Sequence, residues 1–179
     1  MTPVQQVLQA AHFAAQKHAG QRRKGLAEEP YINHLIEIAD LVASATSSSA
    51  DTEVIVAALL HDCVEDVGVT KEELESSFGH AVAELVMEVT DDKSLPKAER
   101  KRLQIVGAPF KSRGAAMIKL ADLTSNLRAI VNTPPVGWSQ ERKDAYGIWA
   151  GQVAGGLVSP NPLLFAKFEQ ARLSLLQRP

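Results

Sequence analysis

Near the start of the chain, Val4, Leu8, Ala11 and Ala15 recur at i, i+4, i+7 and i+11, a spacing that lays apolar side chains along one face of a helix. A first helix is expected to run to about Lys17. Gly20 and Gly25 then bracket a basic loop, Gln21-Arg22-Arg23-Lys24, which leads into Glu28-Glu29-Pro30. Ile32, Leu35, Ile36 and Ala39 open a second helix, and the Thr46-Ser47-Ser48-Ser49 cluster ends it because short hydroxyl side chains compete for backbone hydrogen bonds. A third helix starts near Asp51, runs through Val54, Ala57, Ala58 and Leu59 towards Glu65, and closes at Gly68. Thr70 and Glu73 have capping-box spacing and start a helix reaching about Ser77. Helical periodicity then covers 80–90, 97–106 and 113–132 until Pro134-Pro135-Val136-Gly137 forces a break. Two helices finish the chain. The last has Asn161 as cap, Pro162 at its first position, and Leu164, Phe168, Ala171 and Leu175 along one face. No strand alternation or repeat competes, so the expected fold class is all-α.

A length of 179 residues with 45% hydrophobic content suits one well-buried core, and residues 1–179 read as a single domain. With 19 Lys+Arg against 21 Asp+Glu the net charge is -2, which advertises no nucleic-acid partner, so any basic site must be local. The one cysteine, Cys63, has no internal partner for a disulfide, and the N-terminus lacks the order of a secretory signal; a cytoplasmic location is the default. The longest wholly apolar run, Val54 to Leu60, is far shorter than the roughly 20 residues a membrane span needs, so no membrane partner is expected. The sequence specifies no oligomeric state.

The chemistry concentrates at His61-Asp62, at the C-terminal end of the most apolar helix, where a ligating group has no packing reason to be. Glu65 and Asp66 follow four residues after each, so on a continuous helix all four groups face one space. Three carboxylates and an imidazole beside an apolar surface repel one another and lose hydration unless solvent or a cation neutralises them. Two more ligand-type residues in apolar helical contexts favour the cation: His34 within Tyr31-Ile32-Asn33-His34-Leu35, and Asp122 within Ile118-Lys119-Leu120-Ala121-Asp122-Leu123. Two imidazole nitrogens and two carboxylate oxygens suit Mn²⁺, Fe²⁺, Co²⁺ or Zn²⁺, with positions left for water and a phosphoryl oxygen. A metal lowers the pKa of its water while a nearby carboxylate takes the proton. Glu65 is the leading base and Asp66 the orienting group, and the reverse division is open. His12 and His18 are placed on the first helix and His80 near a turn after Gly79, none as a ligand; Trp138 and Trp149 read as core.

At these residues the chain resembles the HD-domain phosphohydrolases, within them the hydrolase domain of RelA/SpoT proteins, and most closely the small stand-alone alarmone hydrolases of the metazoan SpoT-homologue type. The resemblance covers residues 8 to about 153. It rests on Ala14-Ala15-Gln16-Lys17-His18, Gln21-Arg22-Arg23-Lys24, Pro30-Tyr31-Ile32-Asn33-His34, the run from Ala57 to Asp66, Glu88-Val89-Thr90-Asp91-Asp92-Lys93, and Lys119-Leu120-Ala121-Asp122 with Asn126-Leu127-Arg128. It implies a compact HD-domain helical fold and removal of the 3′-pyrophosphate from ppGpp and pppGpp, giving GDP or GTP and pyrophosphate. It also implies Mn²⁺ on His34, His61, Asp62 and Asp122, with Glu65 and Asp66 as the catalytic pair.

By the same resemblance Arg23 and Lys24 are the cations for the phosphates. Asn126, one helical turn after Asp122, faces the ribose or else the surface. Tyr146 matches a tyrosine lining the nucleotide pocket, and beside Trp149 it equally suits the core; Lys97 and Arg142 read as solvated surface ahead of the alternative that they help with the phosphates. The chain departs from the family pattern at Leu35, where a proline is common, and at Leu123-Thr124-Ser125, where a basic and an aromatic residue are common. The second departure bears on substrate preference rather than hydrolysis, and another nucleotide such as NADPH is the first alternative. A catalytically silent alarmone-binding module is the second; it could dispense with the ligands or the Glu65-Asp66 pair, and all are present. The mixed α/β synthetase domain has no room in this chain, so hydrolysis without synthesis is expected.

Overall fold

The structure, a computed structural model, describes residues 1–46, 51–158 and 160–177. The described residues form α1 (Pro3–Lys17), α2 (Ile32–Ser44), α3 (Thr52–Leu60), α4 (Cys63–Val67), α5 (Lys71–Phe78), α6 (His80–Val89), α7 (Lys97–Gly107), a 3₁₀ turn at Ala108–Phe110, α8 (Arg113–Asn132), α9 (Gln140–Gly156) and α10 (Pro162–Leu176). There is no named strand among them; two isolated bridges, Arg22 with Pro30 and Gly25 with Pro135, tie the basic loop down. No described helix is long and apolar enough to cross a membrane.

The all-α expectation is met, with corrections in detail. On α1, Val4 and Leu8 are 67% and 64% exposed, and the inward residues are Ala10 and Ala14, supported by Val7, Ala11 and Phe13. Small side chains face inward because α1 lies against α3, and alanines let the two backbones approach. The third helix does not run unbroken to Glu65. It stops at Leu60, His61 and Asp62 form a turn, and α4 carries Glu65 and Asp66. Gly68 closes α4 in the left-handed region at φ 72°, a conformation that glycine adopts without a Cβ clash. Of the Thr70–Glu73 capping box only one half forms: Thr70 Oγ1 accepts from the Glu73 N–H at 3.1 Å, while the Glu73 carboxylate pairs with Lys17. In the cluster expected to end α2, Ser47, Ser48 and Ser49 lie outside the described residues; Thr46 hydrogen-bonds to Ala43 O at 3.0 Å.

The organising element is α8, which packs against α2, α3, α6 and α10 and buries Met117, Ile118, Leu120, Leu123 and Leu127. α10 covers its far side with Leu164, Phe168 and Leu175, all from the expected face; burying each contributes roughly 1.5–3 kcal/mol. Because α8 is enclosed, any polar residue on it must be satisfied internally. The polar residues Lys119, Asp122, Ser125 and Asn126 of α8 all sit close to the candidate ligands.

Gly25 fixes the basic loop onto the α8–α9 connection. A Cβ at that position would stand 2.4 Å from Thr133 O, so the loop reaches this close only with glycine.

Candidate functional site

The last turn of α3 delivers His61 with its ring already oriented. Its Nδ1 donates to Ala58 O at 2.9 Å, which turns Nε2 towards the space beside α2 and α8. Nε2 is buried and has no hydrogen-bond partner; Asp62 Oδ2 lies 3.1 Å away but outside hydrogen-bonding geometry. His34 Nε2 enters the same space from α2, 3.5 Å from Asp122 Oδ1 and 3.8 Å from Asp62 Oδ2. One ligand atom each from His34, His61 and Asp122 lies within 4.8 Å of the others. Asp62 belongs beside this trio through its contacts with both imidazoles, and Tyr31 O–H donates to its Oδ2 at 2.6 Å.

The electrostatics agree with a cation-binding centre. Burial pushes the His34 imidazole down, which favours the neutral, ligating form. Burial also opposes charge on His61, but Asp62 beside it outweighs that and holds its pKa up at about 9. Burial would raise Asp62 and Asp122. Instead His61 and His34 hold Asp62, and chiefly Lys119 and His34 hold Asp122, well below the usual carboxylate range. Both carboxylates therefore stay ionised at neutral pH, and the centre calls for a positive charge at Nε2 of His61, as a proton or as a metal. Two imidazoles and two carboxylates, with one nitrogen orphaned and aimed inward, fit a divalent cation.

Glu65 and Asp66 line the same cleft but are held differently. Glu65 Oε2 accepts from the Asp91 N–H at 3.2 Å, and its Oε1 lies 3.7 Å from Arg100 Nη1 and 3.9 Å from Lys93 Nζ. Burial raises its pKa. Asp66 is gripped on both oxygens: Lys93 Nζ donates to Oδ1 at 2.5 Å and Gln21 Nε2 to Oδ2 at 2.7 Å, with Gln21 Oε1 meeting His18 Nδ1 at 2.5 Å. His18 thus sits buried beyond the end of α1, stacked on Tyr31, and meets the cleft through Tyr31 and Gln21.

The cleft around this centre, about 210 Å³, opens into a second hollow of about 300 Å³ lined by Arg22, Arg23, Lys24, Trp138 and Tyr146. Together they reach the size range of small-molecule sites. Asn126 stands at the junction, donating to Asp122 Oδ1 at 2.6 Å and accepting from Arg23 Nη1 at 3.3 Å. Tyr146 borders both hollows, and burial pushes its phenol up. Trp138 and Trp149, expected in the core, are half-buried walls: Arg142 lies 4.3 Å over the Trp138 ring and Lys101 4.5 Å over that of Trp149. An indole there offers a flat apolar face and a platform for a cation. Lys97 and Arg142 are exposed, as expected. Burial and then Arg142, Lys24 and Arg100 lower the Lys97 pKa, so these cations lie near one another.

The structure brings together every site residue read from the sequence. Lys24 is placed least firmly, exposed at the rim. The sequence alone gives no role to Tyr31, Gln21, Lys93, Arg100 or Lys119. Only Lys119 carried a local signal, standing one turn before Asp122 on a buried helix, 3.3 Å from its Oδ2.

The pattern describing the HD domain matches residues 10–154. A Homo sapiens protein named guanosine-3′,5′-bis(diphosphate) 3′-pyrophosphohydrolase MESH1 is 51% identical over 158 residues, 87% of either chain. The Xenopus tropicalis protein of the same name is 48% identical over 163 residues, 91% of this chain and 90% of that one. A solved structure, described as a metazoan ortholog of SpoT that hydrolyses ppGpp and plays a role in starvation responses, superposes with a TM-score of 0.87 at 43% identity, covering 93% of both chains. With the HD-domain pattern spanning most of the chain and His61-Asp62 at the centre of its cleft, the protein belongs to the HD-domain family.

Proposed function

We propose that this chain is a metal-dependent hydrolase that removes the 3′-pyrophosphate of ppGpp and pppGpp in the cytoplasm, releasing GDP or GTP and pyrophosphate. The observation that carries the proposal is one cleft with two unlike ends: a buried His/Asp centre beside two carboxylates, and a cationic, aromatic hollow sized for a nucleotide. Relatives named for this activity support it. We read residues 1–179 as one catalytic domain.

His34, His61, Asp62 and Asp122 would hold the metal, and Mn²⁺ is our assignment; Fe²⁺, Co²⁺ and Zn²⁺ suit the same donors. When bound, it supplies an acidified water and neutralises phosphate charge. Glu65 takes the proton of the attacking water. Its raised pKa and loose hold suit a group that must gain and lose a proton, whereas Asp66, fixed by Lys93 and Gln21, orients. The water oxygen bonds to the phosphorus attached to the ribose 3′ oxygen; the P–O3′ bond breaks, and the 3′ oxygen leaves and takes a proton. Arg23 and Lys24 bind phosphate oxygens, Asn126 meets the ribose, and Tyr146 packs on the nucleoside.

The test is turnover of Mn²⁺-loaded protein with ppGpp, NADPH and simple nucleotides in parallel, products separated chromatographically. Pyrophosphate and GDP from ppGpp, far faster than phosphate from the others, is the expected result. Intact ppGpp would withdraw the substrate and leave the HD centre.

A further inference from the structure

We infer that Glu37 and Ser125 are positioning residues that fix the tautomer of His34 and so present its bare Nε2 to the metal centre. The inference rests on the metal-centre reading above and concerns how one ligand is prepared.

The hydrogen bonds leave one arrangement. Ser125 Oγ has a single proton, and Glu37 Oε2 lies 2.6 Å away; a carboxylate has no proton to give, so the hydroxyl donates there. The same Oγ lies 2.8 Å from His34 Nδ1, and its proton is already committed, so it accepts. The ring proton therefore sits on Nδ1. In the neutral imidazole the other nitrogen, Nε2, is left as a lone pair, and it faces Asp122 and Asp62.

The carboxylate that starts this chain is itself secured, since Arg128 Nη1 donates to Glu37 Oε1 at 3.0 Å. Two i,i+3 pairs on facing helices make the relay. His34 and Glu37 lie on α2, and Ser125 and Arg128 on α8, with His34 and Ser125 buried and the Glu37–Arg128 end half open to solvent.

His61 reaches the same tautomer by a different device, the backbone carbonyl of Ala58, which no side-chain substitution can remove. His34 depends on side chains alone. Ser125 also lies in the segment where the sequence departs from the family pattern, and its contacts turn that departure away from the substrate and towards a ligand. Outer partners of metal-binding histidines typically hold about 10- to 100-fold in metal affinity.

The experiment is long-range ¹H–¹⁵N correlation of the histidine side chains in the full-length metal-free protein, paired with Mn²⁺ titration. The unsubstituted protein should show His34 protonated on Nδ1 alone. Ser125→Ala should give mixed tautomers and Mn²⁺ binding weaker by about 10-fold or more, and Ser125→Thr, which keeps the hydroxyl, should recover both. Glu37→Gln, at a half-exposed position where folding is not at stake, offers the serine a donor as well as an acceptor. The relay can then reverse, and the Nε2–H form should appear. An Nε2-protonated His34 in the unsubstituted protein would overturn the inference. So would a pure Nδ1–H form with unchanged Mn²⁺ affinity in both Ser125→Ala and Glu37→Gln. Failure to turn over ppGpp would overturn the hydrolase reading instead, because tautomer and Mn²⁺ affinity are measured without substrate.

Discussion

The floor of the cleft and its mouth are built in opposite ways. On the floor, His34, His61, Asp62 and Asp122 come from enclosed helices or their ends, and each is held by partners: Ser125 and Glu37 behind His34, Ala58 behind His61, Tyr31 on Asp62, Lys119 and Asn126 on Asp122. At the mouth, Arg22, Lys24, Lys97 and Arg142 stand on loops and exposed helix faces, and aromatic rings supply the walls. The floor is set before a substrate arrives, which electrostatic catalysis requires. The mouth has freedom to follow the shape and charge of the nucleotide. Substitutions on the floor should therefore strike turnover, and those at the mouth should strike binding.

The largest expected effect is Asp62→Asn. It keeps the shape but removes a largely enclosed charge and, on the proposed assignment, a ligand; a bound metal contributes several kcal/mol to such reactions, so kcat should fall more than about 10³-fold with loss of bound Mn²⁺, read by elemental analysis. Glu65→Gln should lower kcat by about 10²- to 10³-fold while the Mn²⁺ content stays the same, which separates base from ligand. If the variant also loses metal, the floor is not divided as described.

The same division explains what was legible in the sequence. His34, His61 and Asp122 stood out because polar residues interrupted apolar periodicity, and they do so where helices meet. Lys93, Tyr31 and Gln21 did not, since they act across 27, 31 and 45 residues of chain, and no spacing links them to their carboxylates. The packed face of α1 is hidden in the sequence because the larger apolar residues, Val4 and Leu8, outweigh the alanines that pack. The break after Leu60 leaves no mark in the sequence because helical periodicity continues through it; there the His61 ring donates back to Ala58 O and the Tyr31 hydroxyl donates to the Asp62 carboxylate. Size alone puts the tryptophans in the core; in the fold both are half-buried, and Lys101 and Arg142 lie over their rings.

At the mouth, Arg23→Ala with Lys24→Ala should raise KM for ppGpp about 10-fold with kcat changed little. The loss should shrink as salt rises, because the exposed Lys24 and the half-exposed Arg23 are both screened. A large fall in kcat instead would join the mouth to the chemistry. The smallest effect is a displaced pH profile. Glu65 must be ionised to act, burial raises its pKa, and Lys93 nearby opposes that rise. Activity should increase as pH climbs through this pKa, and Lys93→Ala, by removing the opposing charge, should move the acid limb of kcat/KM to higher pH. Movement to lower pH would contradict the assignment of Glu65 as base.

An anomalous difference map from crystals soaked in Mn²⁺ locates the metal itself. One strong peak is expected, enclosed by His34 Nε2, His61 Nε2 and the carboxylates of Asp62 and Asp122, with Glu65 and Asp66 beside it but not ligating. A peak held by Glu65, Asp66 or Asp91, or none at the floor, would contradict this assignment.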